Sequence, residues 1–104
     1  MAKTTEQVLG NAVIKVLLGQ PSYEGTVRTL IKNIPTHVKL TPEDEAPSKL
    51  RIGESMWEQR VRNLKSHDKT AGNVIAEGYV ENVSKGRYRL TKAGLLHATH
   101  KGWV

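Results

Sequence analysis

With 104 residues, 38% of them hydrophobic and 25% charged, the chain has room for one modest core and not for two. It contains no Cys, which excludes a disulfide framework and a thiolate metal site, and no apolar run approaches the ~18 residues that span a bilayer. Sixteen Lys/Arg against ten Asp/Glu give a net charge of +6, unevenly placed: seven against six in residues 1–54, nine against four in residues 55–104.

A basic half beside a near-neutral half is the footprint of a phosphate-binding face; the plain alternative is a domain that happens to be basic. The start, Met1-Ala2-Lys3-Thr4-Thr5-Glu6, lacks a basic region followed by an apolar stretch. Together with the missing Cys this leads to the expectation of a cytoplasmic protein with no membrane segment. Phe is absent and aromatics make up 5% (Trp57, Trp103, Tyr23, Tyr79, Tyr88). Single-strand and RNA readers need several stacking rings, so this composition favours a duplex.

In chain order, residues 5–18 predict a first helix. Thr4 or Thr5 is a candidate cap, Val8, Leu9, Ala12, Val13, Val16 and Leu17 form an apolar face, and Gly19-Gln20-Pro21 is the stop. Residues 22–34 predict a second helix, with Ser22 as cap, Val27, Leu30, Ile31 and Ile34 inward, and Pro35 as terminator. Residues 35–54 are irregular. Thr41-Pro42-Glu43-Asp44 within them has the form of one capped turn, Pro42 in the first helical position, and the segment to Pro47 reads as a solvated connection. Residues 54–66 predict a third helix on the stripe Trp57, Val61, Leu64. Thr70 would cap a short fourth helix over 71–77, closed by Gly78.

The last third predicts a β-hairpin over 79–91, with Ser84-Lys85-Gly86 as its turn and Gly86 free to take positive φ. Alternation puts Arg87 and Arg89 on one face and Tyr88 in the core. Thr91 caps a last helix over about 92–98, and Trp103 is expected to be a tail contact or disordered. The expected fold class is α+β. It is a winged helix-turn-helix spanning residues 1–104 as one domain: a three-helix unit, an extra short helix, a C-terminal hairpin wing and a terminal helix.

Three stretches carry a family resemblance: Trp57-Glu58-Gln59-Arg60-Val61-Arg62-Asn63-Leu64, Asn73-Val74-Ile75-Ala76-Glu77-Gly78-Tyr79-Val80-Glu81 and Gly86-Arg87-Tyr88-Arg89-Leu90-Thr91-Lys92-Ala93-Gly94. They resemble the winged-helix domains attached to restriction endonucleases, above all the N-terminal domain of Mrr-type enzymes and winged helices fused to HNH nucleases. The layout is similar to the C-terminal domain of methyladenine-dependent restriction enzymes. The match covers residues 54–96 well and the first two helices by layout only; His67 to Asn73 lengthens the usual path from helix to wing. The resemblance implies a module that binds duplex DNA, methylated at adenine or cytosine or not. It also implies a nuclease domain, fused or associated, as its neighbour.

A recognition helix presents its N-terminal half to the major groove. That makes Ser55, Glu58, Gln59 and Arg62 the expected base readers: Arg suits guanine, Gln adenine, and Glu accepts from a cytosine amine. Arg60, Lys65, Lys69, Lys85, Arg87 and Arg89 are the expected phosphate contacts. Trp57 is expected in the core, in line with Val61 and Leu64; the alternative is a wall for a methyl group or a flipped base.

His97 and His100 stand at i, i+3 with no third ligand near in sequence, so no metal is expected. There is no nucleophile motif, no HNH spacing and no Gly-rich phosphate loop, and the adjacent His67-Asp68 do not make a catalytic pair. The chain is read as non-catalytic and without cofactor. Two rival readings are a small dimeric winged-helix transcription regulator and a winged helix that binds protein.

Overall fold

The computed structural model describes residues 3–104. Thr5 caps α1 (Glu6–Leu18): its hydroxyl accepts the Val8 N–H at 3.2 Å, satisfying one otherwise unpaired donor. Leu9, Val13, Ile14, Val16 and Leu17 are buried. At about 1.5–3 kcal/mol for each large aliphatic side chain, α1 is a principal contributor to the core. Gly19 ends it, donating its N–H to the Val16 carbonyl at 3.1 Å.

The second helix does not begin at Ser22. Pro21–Tyr23 form a single 3-10 turn in which Ser22 and Tyr23 both take φ +57°, whereas an N-cap residue is extended. The chain then extends as β1 (Glu24–Thr26). Only after it does α2 (Val27–Asn33) start, capped by Thr26, whose hydroxyl accepts the Thr29 N–H at 3.2 Å. A one-turn helix, α3 (Pro42–Glu45), forms where Thr41-Pro42-Glu43-Asp44 predicts it. Thr41 and Asp44 satisfy each other's backbone N–H in a capping box.

The third predicted helix is α4 (Met56–Arg62), shorter at both ends than 54–66. Ser55 and Glu58 form its capping box, and Asn63 ends it with φ −96°, ψ 14°. Asn63, Ser66, His67 and Asp68 are weak helix formers, and the chain leaves α4 in successive turns. The helix expected over 71–77 does not form. Gly72 and Gly78 take φ +85° and +82°. Between them the buried Asn73 carboxamide accepts the N–H groups of Ile75 and Ala76 at 2.8 and 3.2 Å and donates to the Leu64 carbonyl at 3.3 Å. A side chain that captures local N–H groups competes with the helical ladder.

β2 (Val80–Ser84) and β3 (Arg87–Leu90) make the predicted hairpin, with Gly86 at φ +70° in its turn. A bulge falls between Asn82 and Ser84. The Asn82 amide fills it, donating to the carbonyls of Ser84 and Arg87 at 2.7 and 3.1 Å. β1 pairs with the other edge of β3, Gly25 opposite Tyr88, giving a three-stranded antiparallel sheet in the order β1-β3-β2. The Val27 N–H donates to the Gly86 carbonyl at 2.9 Å, which ties the hairpin turn to the start of α2. α5 (Lys92–His100) follows, capped by Thr91.

The result is an α+β fold with five α-helices and one three-stranded sheet among the described residues. One cluster runs from Leu9 on α1 through Leu30, Val61, Val80 and Tyr88 to Ala98 on α5. Tyr88 is 2% exposed, and burial raises its phenol above the usual 10.0, opposed by the Lys65 main chain. Trp103 is a tail contact: it meets His97 edge-on at 5.6 Å, and Lys15 Nζ lies 4.7 Å above its ring. No helix among the described residues is long and apolar enough to cross a membrane.

Candidate nucleic-acid interface

Four cations from three separate segments converge on one open cleft of about 520 Å³. Arg62 comes from the last turn of α4 and Lys65 from the turn after it. Lys85 comes from the hairpin turn and Arg51 from the loop that precedes α4. Val27, Asn82, Gly86 and Tyr88 complete the lining, so the cleft wall contains no carboxylate. The link between Val27 and Gly86 is what brings Lys85 across from the sheet to the helix layer.

Carboxylates stand just outside this lining. The Glu54 carboxylate accepts from Arg62 Nε, and its other oxygen, buried and without a hydrogen bond, lies 3.9 Å from Arg51 Nε. Asp68 pairs with Lys65: their hydrogen bond raises the Lys65 ammonium above the usual 10.5 and lowers Asp68 below 3.8. Lys85 has no ion-pair partner among the described residues. The Lys65–Asp68 pair is open to solvent and screened by it, whereas Glu54, largely buried, holds Arg62 more firmly.

The other expected site residues lie elsewhere. Ser55 and Glu58 hold each other, Ser55 N–H and Oγ donating to Glu58 Oε1 at 2.9 and 2.8 Å. Gln59 Oε1 accepts from Ser48 Oγ. The helix face expected to enter a groove is therefore engaged by its own cap and by the loop over residues 47–55. Arg60 is a structural residue and not a surface phosphate contact: it donates to the Thr4 carbonyl at 2.7 Å and to Glu6 at 2.9 Å, and lies 3.9 Å from buried Asp44. Trp57, 7% exposed within the core cluster, is a core residue and walls no pocket for a base.

Arg87 and Arg89 share the outer face of β3, as alternation requires, but they are matched there. Arg87 meets Glu24 at 3.2 Å, and Arg89 meets Glu81 at 2.6 Å and Glu24 at 3.8 Å. Two arginines and two glutamates leave that face near neutral. Lys69 is exposed on the turns after α4 and does not line the cleft. Arg51 is the residue that sequence reasoning missed. Its signal was the basic-apolar alternation Lys49-Leu50-Arg51-Ile52 between Pro47 and Gly53, inside the stretch assigned to irregular connection.

Comparison with known protein families, curated proteins and solved structures finds no match for this chain.

Proposed function

We propose that this chain is a duplex DNA-binding module of the winged-helix type, gripping the phosphate backbone in the cleft between α4 and the β2–β3 turn. The observation that carries this reading is the convergence of Arg51, Arg62, Lys65 and Lys85 on a lining with no carboxylate. Lys85 has no carboxylate partner among the described residues and Lys65 holds only the partly exposed Asp68, so a polyanion finds cations to pair with, and phosphate is the anion that a duplex presents at regular spacing. The order α1-β1-α2-α3-α4-β2-β3, with one short helix extra, and the sheet order β1-β3-β2 are compatible with a winged helix whose wing would be the hairpin. The resemblance to restriction-associated winged helices adds a nuclease, fused or associated, as neighbour. Sensing of methylated adenine or cytosine rests on that resemblance alone, since Trp57 is taken by the core.

The test is fluorescence anisotropy with short methylated and unmethylated duplexes across a salt series. Arg62→Ala, Lys65→Ala and Lys85→Ala should each weaken binding and flatten the plot of log K against log salt by about 0.9. Arg89→Ala should change it little. No binding at low salt would remove the DNA reading, and equal affinity for every duplex would remove the sensing part. A larger loss from Arg89→Ala than from Lys85→Ala would move the site to the sheet.

A further inference from the structure

We propose that the loop over residues 47–55 is a wedge that drives Leu50 and Ile52 into the base stack of a bound duplex and kinks it. This rests on the reading of the cleft as a duplex site. Leu50 is 78% exposed and Ile52 105%, the two most exposed large apolar side chains among the described residues. Neither belongs to the core cluster, so their position is not set by the needs of folding. They stand among Lys49 and Arg51 with no carboxylate between residues 48 and 53. Arg51 is itself a wall of the cation cleft. Through Arg51, which stands between Leu50 and Ile52, the apolar tip adjoins the cleft in sequence.

The loop is ordered from within. The Pro47–Ser55 bridge and the bond from Ser48 N–H to the Glu54 carbonyl, 2.8 Å, close its neck. Ser48 Oγ accepts the N–H groups of Leu50 and Arg51 at 3.1 and 3.0 Å, and Gly53 turns the chain at φ +85°. Ser48 also clamps the loop onto Gln59 of α4. A tip held in this way loses little conformational entropy on binding. The same clamp covers the face of α4, so the loop stands where a reading helix would otherwise enter. Apolar side chains set beside cations are the means by which proteins unstack and kink a duplex while holding its phosphates.

The experiment uses the full chain with duplexes carrying 2-aminopurine at an internal step and a donor–acceptor dye pair at the ends. Wild type should raise 2-aminopurine emission several-fold and bring the ends closer at saturation. The double variant Leu50→Ser/Ile52→Ser should bind within about tenfold of wild type, because phosphate contacts carry most of the affinity, and lose both signals. Lys85→Ala should weaken binding yet give the full signals at saturation. The wedge is overturned if saturated wild type changes neither signal, or if the double variant changes both as wild type does. In those cases duplex binding itself still stands. Absence of wild-type binding at low salt overturns the cleft reading along with the wedge. Phosphatidylserine vesicles supply the contrasting arm: binding to them that the double variant alone loses, with duplex signals untouched, would reassign the tip to a lipid surface.

Discussion

Asp44 joins three parts of the chain. Fully buried, it accepts from Thr41 N–H within its own helix and from Thr4 N–H at 2.8 Å and Thr4 Oγ1 ahead of α1, with Arg60 of α4 3.9 Å away. Burial alone would raise its pKa, but the hydrogen bonds from Thr4 and Thr41 together outweigh it and hold the carboxyl below the usual 3.8. A folded-state pKa below the unfolded one means stability that is present above about 3.8 and lost as pH falls through the folded value. Asp44→Asn should therefore cost about 2–3 kcal/mol at neutral pH by urea denaturation, from lost charge-assisted hydrogen bonds. The variant should also lose less further stability than wild type between about pH 5 and pH 3. An equal acid loss in both proteins would remove Asp44 from this role. The local half of the arrangement, the Thr41–Asp44 box, is legible in sequence. Its long-range partners Thr4 and Arg60 are not, because nothing in a sequence tells which surface a capping carboxylate will be pressed against.

Among the elements, α5 is positioned by what it lacks. A Cβ at Gly94 would lie 2.1 Å from the Tyr79 carbonyl oxygen and 2.9 Å from Leu90 Cδ1, so the helix rests directly on main chain at the entry to the hairpin. Gly94→Ala should cost about 3 kcal/mol or more as the helix is forced off the sheet, although the same change in a free helix would stabilise it by about 1 kcal/mol. Thermal unfolding followed by circular dichroism reads the sign directly. The extents of the other helices follow the same contest between local preference and packing. α1 runs almost as its periodicity predicts, because Thr5, Gly19 and the apolar stripe agree. α4 stops early where Asn63 leaves the helical region, and 71–77 is not helical because Gly72 takes positive φ and the Asn73 side chain captures the N–H groups of Ile75 and Ala76.

For the molecule as a whole, a single core cluster reaching from Leu9 to Ala98 ties both ends of the chain into one unit. Unfolding should then be one cooperative transition. In a Trp103→Phe background, Trp57 fluorescence and far-ultraviolet circular dichroism should give coincident urea midpoints. Separate midpoints would mean that the sheet with α5 and the α1–α4 layer unfold apart. Charge also takes its meaning at this scale. The basic half contains Arg60, Arg87 and Arg89 as well as the cleft cations, but the fold matches those three with Glu6, Glu24 and Glu81. At the opening it pairs Arg51 and Arg62 with Glu54 and Lys65 with Asp68, and leaves Lys85 without a partner among the described residues.

What depends on neighbours along the chain was legible in the residues: a cap at Thr4 or Thr5, the caps at Thr41 and Thr91, the α1 stripe apart from the exposed Val8, the hairpin about Gly86 and the inward turn of Tyr88. Tertiary pairing made β1: Glu24 and Gly25 disfavour a strand and only Thr26 favours one, and the free edge of β3 supplies the hydrogen bonds that hold the segment extended. The closed fold also set that Lys85 stays unmatched among the described residues and that Arg51, beside Glu54, lines the same cleft. Capping, periodicity and turns are set within a few residues, whereas strand pairing and charge matching join residues tens of positions apart, as Arg87 and Glu24 are, and exist only once the chain has closed on itself.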